Sequence, residues 1–396
     1  MVTDAPFAAL DRLLAGWESA MVDALGTLVR TNSFSENREG GQEVATHLDE
    51  LFQCTGLERQ VFESTQYADH RAWSSESGVG YPVLLVGHFD TVFPPGTFEG
   101  MRVDGDLLRG PGVLDMKGGL VVVAYALRAL AEITGLDRIV PVRVVAIADE
   151  EAGSLEGRDV IKALAHRADA ALVFEAGRAG DRIVTARKGT GMVSVHVTGK
   201  AAHAGASHAE GRNAIWGLAR WIDQAQRLTN YASGVTVTVG VIKGGTAHNV
   251  VPAEASCEVD LRFENKDDGE AALTGFRAIA TRVESEFEGI SVRVDGRLNR
   301  MPLERSLLGG ILLQDYAEQA RAVGLGYEEA PLVGGASDAN TTASLRIATI
   351  DGLGPRGKGF HTLDEQIELR SLVPKARALA RFLLARSLAA GPPRGV

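Results

Sequence analysis

Cysteine is nearly absent from this chain: Cys54 and Cys257 are the only two in 396 residues. They stand at no ligand-like spacing, so neither a disulfide framework nor a thiolate zinc site is indicated. No apolar run reaches membrane-spanning length, and no basic leader precedes an apolar core, so neither a transmembrane segment nor a signal peptide is expected. The sequence also lacks a long basic run. With a net charge of −10, nucleic acid and anionic membrane are excluded as expected partners. Internal repeats and low-complexity tracts are missing, apart from a short tail at 391–396 that reads as frayed. What remains is an ordinary globular composition, 45% apolar and 23% charged, long enough for two or three domains with ample core. A cytoplasmic location is expected.

The N-terminus reads as one amphipathic helix. Phe7, Leu10, Leu14, Trp17, Met21, Leu25 and Leu28 recur at three- and four-residue steps, interrupted by Asp11, Glu18 and Asp23. From residue 81 the pattern becomes strand, loop, helix, repeated. Residues 81–87, 138–148 and 169–174 are expected strands, and 120–133 an expected helix. Such alternation implies an α/β domain, a mixed or parallel sheet with helices on both faces. The middle of the chain has another rhythm. Strands over 192–198, 235–242, 255–263 and 290–298 and helices over 212–228 and 268–287 give the order βαββαβ, that of a ferredoxin-like α+β module. The module looks inserted, because α/β-type sequence resumes after it. The expected division is 1–187 and 299–396 for the first domain and 188–298 for the second.

Five stretches carry chemistry. They are Gly87-His88-Phe89-Asp90-Thr91, the Asp115 segment 112–119, Asp149-Glu150-Glu151, Phe174-Glu175 and Gly359-Phe360-His361. His88, Glu150, Glu151 and Glu175 fall at expected carboxyl ends of strands, where ligands sit in such sheets. Singly, each has a plain reading. His-x-Asp can be a hydrogen-bonded pair, Glu-Glu a solvated helix start, and Asp115 a helix cap. Jointly, two histidines and three carboxylates suit two Zn²⁺ ions, with one glutamate left over, and point to a hydrolase. Asp115 is the expected bridge, since a carboxylate can give one oxygen to each metal. His88 and Glu175 are assigned to one zinc, Glu151 and His361 to the other. Asp90 can reach the second nitrogen of His88 and fix its tautomer. Adjacent glutamates on an extended segment point to opposite sides, so one binds while the other stands over a hydroxide shared by the metals; Glu151 is assigned the first role and Glu150 that of general base. Cobalt or manganese would also suit this mixed donor set.

Gly-His-Phe-Asp-Thr-Val-Phe-Pro, Gly-x-Gly-Val-x-Asp-Met-Lys-Gly-Gly and Asp-Glu-Glu-x-Gly-Ser resemble the signature of a dizinc metallopeptidase family. That family comprises glutamate carboxypeptidase, acetylornithine deacetylase, succinyl-diaminopimelate desuccinylase, aminoacylase and di- and tripeptidases. The resemblance spans nearly the whole chain and is greatest to the glutamate carboxypeptidase branch. It implies a dinuclear zinc catalytic domain, a ferredoxin-like lid that dimerises, amide hydrolysis, and the roles given above. It also implies a cis peptide bond at Asp115-Met116. The stretch 199–205 is similar to the family's lid motif, which implies that His203 donates to the oxyanion in its own or the partner subunit's site. His196, alternating with valines, reads instead as part of a sheet face. Asn249, Arg262 and the Gly335 and Ser337 loop match positions that hold the substrate's free carboxylate. An arginine fork suits that task, although Arg262 could equally pair with Glu258 or Asp260. Two positions depart from the pattern: Ala176 stands where relatives usually have proline, and no lysine upstream of the lid matches that of some glutamate carboxypeptidases.

The implied activity is hydrolysis of an amide bond next to a free carboxylate, as a carboxypeptidase or N-acyl-amino-acid deacylase. The expected substrate is a small peptide or N-acyl amino acid, and the expected assembly a homodimer. An aminopeptidase or dipeptidase on the same scaffold is the alternative within enzymes. A catalytically silent peptide- or acyl-amino-acid-binding relative is the alternative outside them.

Overall fold

The strands Val83–His88, Val142–Ile147 and Ala170–Val173 are apolar and buried almost along their full length. Such strands belong in a sheet covered on both faces. In the computed structural model, which describes residues 5–75 and 77–390, they lie side by side and parallel, with Val83–His88 in the middle. Ala348–Ile350 extends the sheet in parallel beyond Ala170–Val173. At the other side, His70–Ser74 and Glu58–Phe62 close it antiparallel. The helix Lys117–Ile133 is buried nearly throughout and packs against Leu372–Ala390. The helices Gly157–Leu164 and Asp338–Ser344 pack on one another and on other strands of the sheet. The expected tail at 391–396 lies outside the described residues.

Contacts divide the chain into two units. One takes the described residues up to Thr185 with Arg305–Leu332 and those from Ser337 onward; the other takes Ala186–Glu304 and Val333–Ala336. The inserted unit thus ends later than the fall of apolar alternation at Leu298 suggests. Its last strand runs Ser291–Arg300, and Arg300 still pairs with Thr190. Residues 333–336 rejoin it because the Val333 amide donates to Ala186 O at 3.1 Å.

The N-terminal segment differs from expectation. It forms two helices, Ala5–Ala15 and Glu18–Arg30. At Gly16 and Trp17 the amides turn back to the Leu13 and Leu14 carbonyls, each at 3.1 Å, which ends the first helix. The apolar spacing survives the break, so periodicity alone does not reveal it. A small sheet of Arg102–Asp104, Leu107–Arg109, Gln366–Glu368 and Gly357–Lys358 has no counterpart in the sequence reading. Strands of two or three residues carry too little alternation to be read.

The inserted unit is ferredoxin-like. Its antiparallel sheet has the strand order Thr236–Gly244, Glu254–Phe263, Gly189–Thr198, Ser291–Arg300. The helices Ala214–Gln226 and Lys266–Glu286 bury one face, where Val193, Val195, Val197, Val259 and Leu261 meet Trp221 and Phe276. The Trp221 indole N–H donates to Phe276 O at 3.2 Å, so this large side chain is buried without an unmet donor. Met192 and His196 lie on the opposite, exposed face.

Cys257 belongs to the buried face, and burial pushes its thiol up to about 11, with Glu258 adding to the rise. At pH 8 only about one thiol in a thousand would be thiolate. Ellman's reagent should therefore label the exposed Cys54 in the native protein. It should reach Cys257 only after denaturant is added. Two rapidly reacting thiols in the native state would show that this core is open.

Candidate metal centre

Three adjacent strand ends and two loops build the site. The strand Val83–His88 ends on His88, and the parallel register sets His88 opposite Ile147, after which the neighbouring chain runs on to Glu150 and Glu151. Contrary to expectation, Asp149 to Glu151 is not extended. The Gly153 and Ser154 amides donate to Glu150 O at 2.8 Å and Asp149 O at 2.7 Å, folding it into a turn. Asp149 itself faces away, capping the next helix by accepting from the Glu156 amide at 2.8 Å. The strand Ala170–Val173 leads to Glu175.

Asp115 lies between the two histidines. Its Oδ1 is 3.4 Å from His88 Nε2, and its Oδ2 is 3.4 Å from His361 Nε2. His88 Nε2 lies 3.8 Å from Glu175 Oε1, and His361 Nε2 lies 3.1 Å from Glu151 Oε2. His88, Asp115 and Glu151 alone already offer ligand atoms within 4.8 Å of one another. The Asp115–Met116 peptide bond is cis.

The electrostatics are those of a crowded, desolvated carboxylate cluster. Burial alone would raise Asp115, but hydrogen bonds with His361 and His88, and the charge of His88, hold it far below the usual carboxylate range. Burial raises Glu175 well above its ordinary value, and the charges of Asp115 and Glu150 raise it further. Glu151 is raised by burial, against its hydrogen bond with His361. Hydrogen bonds to Asp115 and Glu151 lift His361 to about 10. Burial opposes a charge on His88, but Asp115 and Asp90 outweigh it and raise the imidazole well above its ordinary value. Carboxylates packed this closely require compensating positive charge. Imidazole nitrogens and carboxylate oxygens, with one carboxylate turned both ways, are a donor set that fits two divalent cations.

Asp90 organises this set. Its Oδ1 lies 3.2 Å from His88 Nδ1 and accepts the Glu150 amide at 3.2 Å; its Oδ2 accepts the Glu151 amide at 3.1 Å and the Ser35 hydroxyl at 2.7 Å. Orienting partners of this kind are typically worth about 10–100-fold in metal affinity. Asp90→Ala should accordingly bind zinc more weakly by that factor in a chelator competition. An unchanged affinity would show that His88 is held without it.

Sequence reasoning missed Ser35, Lys117 and Glu365. Lys117 is buried and donates from Nζ to Leu28 O at 2.9 Å and Thr31 O at 3.3 Å. Burial pulls its pKa down to about 7. Glu365 is also buried, and burial pushes its carboxyl up to about 7 despite three backbone donors. The available signal was its position four residues after His361.

The remaining expected site residues each have local partners. Ser337 is buried, caps the helix Asp338–Ser344, and donates to Asp351 Oδ2 at 2.7 Å, so its hydroxyl is already used. In the inserted unit, His203 is exposed, on the short strand Ala202–His203 paired with Val250–Val251. Its Nδ1 accepts the Gly205 and Ala206 amides at 3.1 and 3.0 Å, which places the proton on Nε2. Asn249 adjoins it and accepts the Ala204 amide on its carbonyl at 3.0 Å. Arg262 lies on the exposed sheet face with its guanidinium forked onto Asp260, with bonds of 2.8 to 3.1 Å. Gly335 gives its carbonyl to Arg187 Nη1 at 2.9 Å.

Residues 185–288 match the family described as the peptidase dimerisation domain of the M20 peptidases. The chain is 29% identical over 377 residues to carboxypeptidase G2 of Pseudomonas sp., covering 93% of this chain and 89% of that one. It is 28% identical over 310 residues to a probable succinyl-diaminopimelate desuccinylase of Staphylococcus aureus, covering 68% and 73%. Among solved structures, a tripeptidase from Staphylococcus aureus superposes with a TM-score of 0.80 at 21% identity, covering 94% of this chain and 99% of that one. An M20 family metallo-carboxypeptidase from Sulfolobus solfataricus gives 0.76 at 18%, covering 93% and 99%.

Proposed function

We propose that this chain, which carries the M20 peptidase fold and dimerisation domain and has metallopeptidases and amidohydrolases as its relatives, hydrolyses an amide bond next to a free carboxylate. The reading is a carboxypeptidase or N-acyl-amino-acid deacylase of the cytoplasm. Its main support is the pair of 3.4 Å contacts that turn one Asp115 oxygen toward His88 and the other toward His361. We assign His88, Asp115 and Glu175 to one zinc and His361, Asp115 and Glu151 to a second. Bound there, the two ions supply Lewis acidity and lower the pKa of water to about 7.

The chain's own groups do the rest. Glu150 takes the proton from the attacking water as its oxygen adds to the amide carbon. It then delivers that proton to the nitrogen as the C–N bond breaks. The Nε2–H of His203 is the donor we assign to the developing oxyanion. Asn249, Gly335 and Arg262 are the groups we assign to the substrate carboxylate; Arg262 would first have to exchange its Asp260 partner for it. The names of the two relatives, a carboxypeptidase and a desuccinylase, support a carboxylate beside the scissile bond.

We assign dimer formation to the Thr236–Gly244 edge of the inserted sheet. That edge exposes Val241 and Ile242. The opposite edge, Ser291–Arg300, carries Arg293, Asp295 and Arg297, the charges that discourage strand pairing.

The deciding experiment measures amino-acid release by the zinc-loaded protein from N-acyl amino acids and N-blocked dipeptides, with free and amidated C-termini. Turnover confined to free C-terminal carboxylates is expected. Turnover confined to peptides with a free amine would make it an aminopeptidase. Stoichiometric binding without turnover would make it a binding protein.

A further inference from the structure

The turn that carries His361 also holds Asp115. Residues 359–365 form a closed loop: the Thr362 amide donates to Gly359 O at 3.0 Å, and the Asp364 amide to Thr362 Oγ1 at 3.2 Å. Gly359 has a φ of 84°, and a Cβ there would come within 2.6 Å of Asp364 O, so the turn is tight and tolerates little change. His361 sits in it with a φ of 60°. At its base, Glu365 is only 1% exposed. Its Oε1 accepts the Leu114 and Asp115 amides at 2.9 and 3.0 Å, and its Oε2 accepts the Gly112 amide at 3.1 Å. The following strand, Gln366–Glu368, pairs with Leu107–Arg109 and sets this register.

We infer that Glu365 is a positioning residue that locks the Asp115 loop to the His361 turn, so that the two ligands are placed as one rigid piece. The inference rests on the metal roles proposed above. A carboxyl group accepting three amides makes directional bonds, and a buried carboxyl is retained only where such partners exist. Without it, Asp115 and His361 each lose their fixed origin, while neither side chain itself is altered. The strand pairing brings the two segments alongside one another, and Glu365 is the side chain that ties the Asp115 amide itself to the base of the His361 turn.

The test compares zinc affinity, by competition with a chromogenic chelator, for the parent chain, Glu365→Ala, Glu365→Gln and Glu368→Gln. Glu365→Ala is expected to bind about 10–100-fold more weakly at temperatures well below its melting transition. Glu365→Gln keeps one acceptor but turns an NH₂ toward an amide, and should fall between. Glu368→Gln removes ion pairs with Arg356 and Arg370 on the same strand and should leave affinity unchanged. Glu365→Ala or, should it fail to fold, Glu365→Gln with affinity within about twofold of the parent would overturn the inference alone. A parent chain that binds no zinc would overturn it together with the metal assignment.

Discussion

Glu150→Gln should lower kcat by about 10²–10⁴-fold, the usual contribution of a positioned general base, with metal content unaltered. Glutamine has the size and shape of the native side chain but cannot accept the proton. Its backbone would still donate to Asp90 Oδ1, the 3.2 Å bond that anchors this turn, so the neighbouring Glu151 stays in place. The charge of Glu150 raises Glu175, so the substitution would also remove one cause of that rise. KM should change little, because the carboxylate acts on the water and not on the resting substrate. The measurements are kcat on an N-acyl amino acid and zinc per chain by mass spectrometry. Activity within tenfold of the parent would remove Glu150 from the reaction. Loss of metal along with activity would make it a ligand.

Asp115→Asn should have the opposite signature, losing metal and activity together. Asparagine offers one acceptor and one donor where the native carboxylate offers two acceptors. Either His361 or His88 would then face an N–H in place of the oxygen now 3.4 Å away. Zinc content should fall below about half that of the parent, since apparent affinities of structural sites depend on every anionic ligand. Turnover should drop by about 10³-fold or more, as expected when transition-state stabilisation and nucleophile are lost at once. A variant that retains full zinc would show that Asp115 is dispensable as a bridge.

Much of this centre was legible in the sequence because strand ends are legible. Short apolar runs that stop at His88, Asp149 and Glu175 locate the carboxyl edge of a parallel sheet, and ligands gather there. The βαββαβ order was readable for the same reason: its strands alternate over ten residues, as in Gly189–Thr198 and Glu254–Phe263. What escaped was whatever depends on distant partners. Glu365 follows Asp364 with no local pattern to mark it, and its partners stand some 250 positions earlier. Lys117, followed by two glycines at a helix start, gives no hint of reaching Leu28 O. Ser337 reads as a site residue because its Gly-Gly-x-Ser loop resembles one; that its hydroxyl also caps a helix is something the local pattern does not announce.

The order of the three central strands sets a width. Val83–His88 lies between Val142–Ile147 and Ala170–Val173, and neighbouring strands are spaced about 4.8 Å apart. The strands that lead to Glu151 and Glu175 are therefore about 10 Å apart on either side of His88. The ligand shell of one zinc is only about 4 Å across. A single ion over the middle strand would leave at least one glutamate reaching far inward, whereas a pair divides the span, with each flank served locally. The sheet thus works as a ruler, setting the span that the proposed pair of ions would divide.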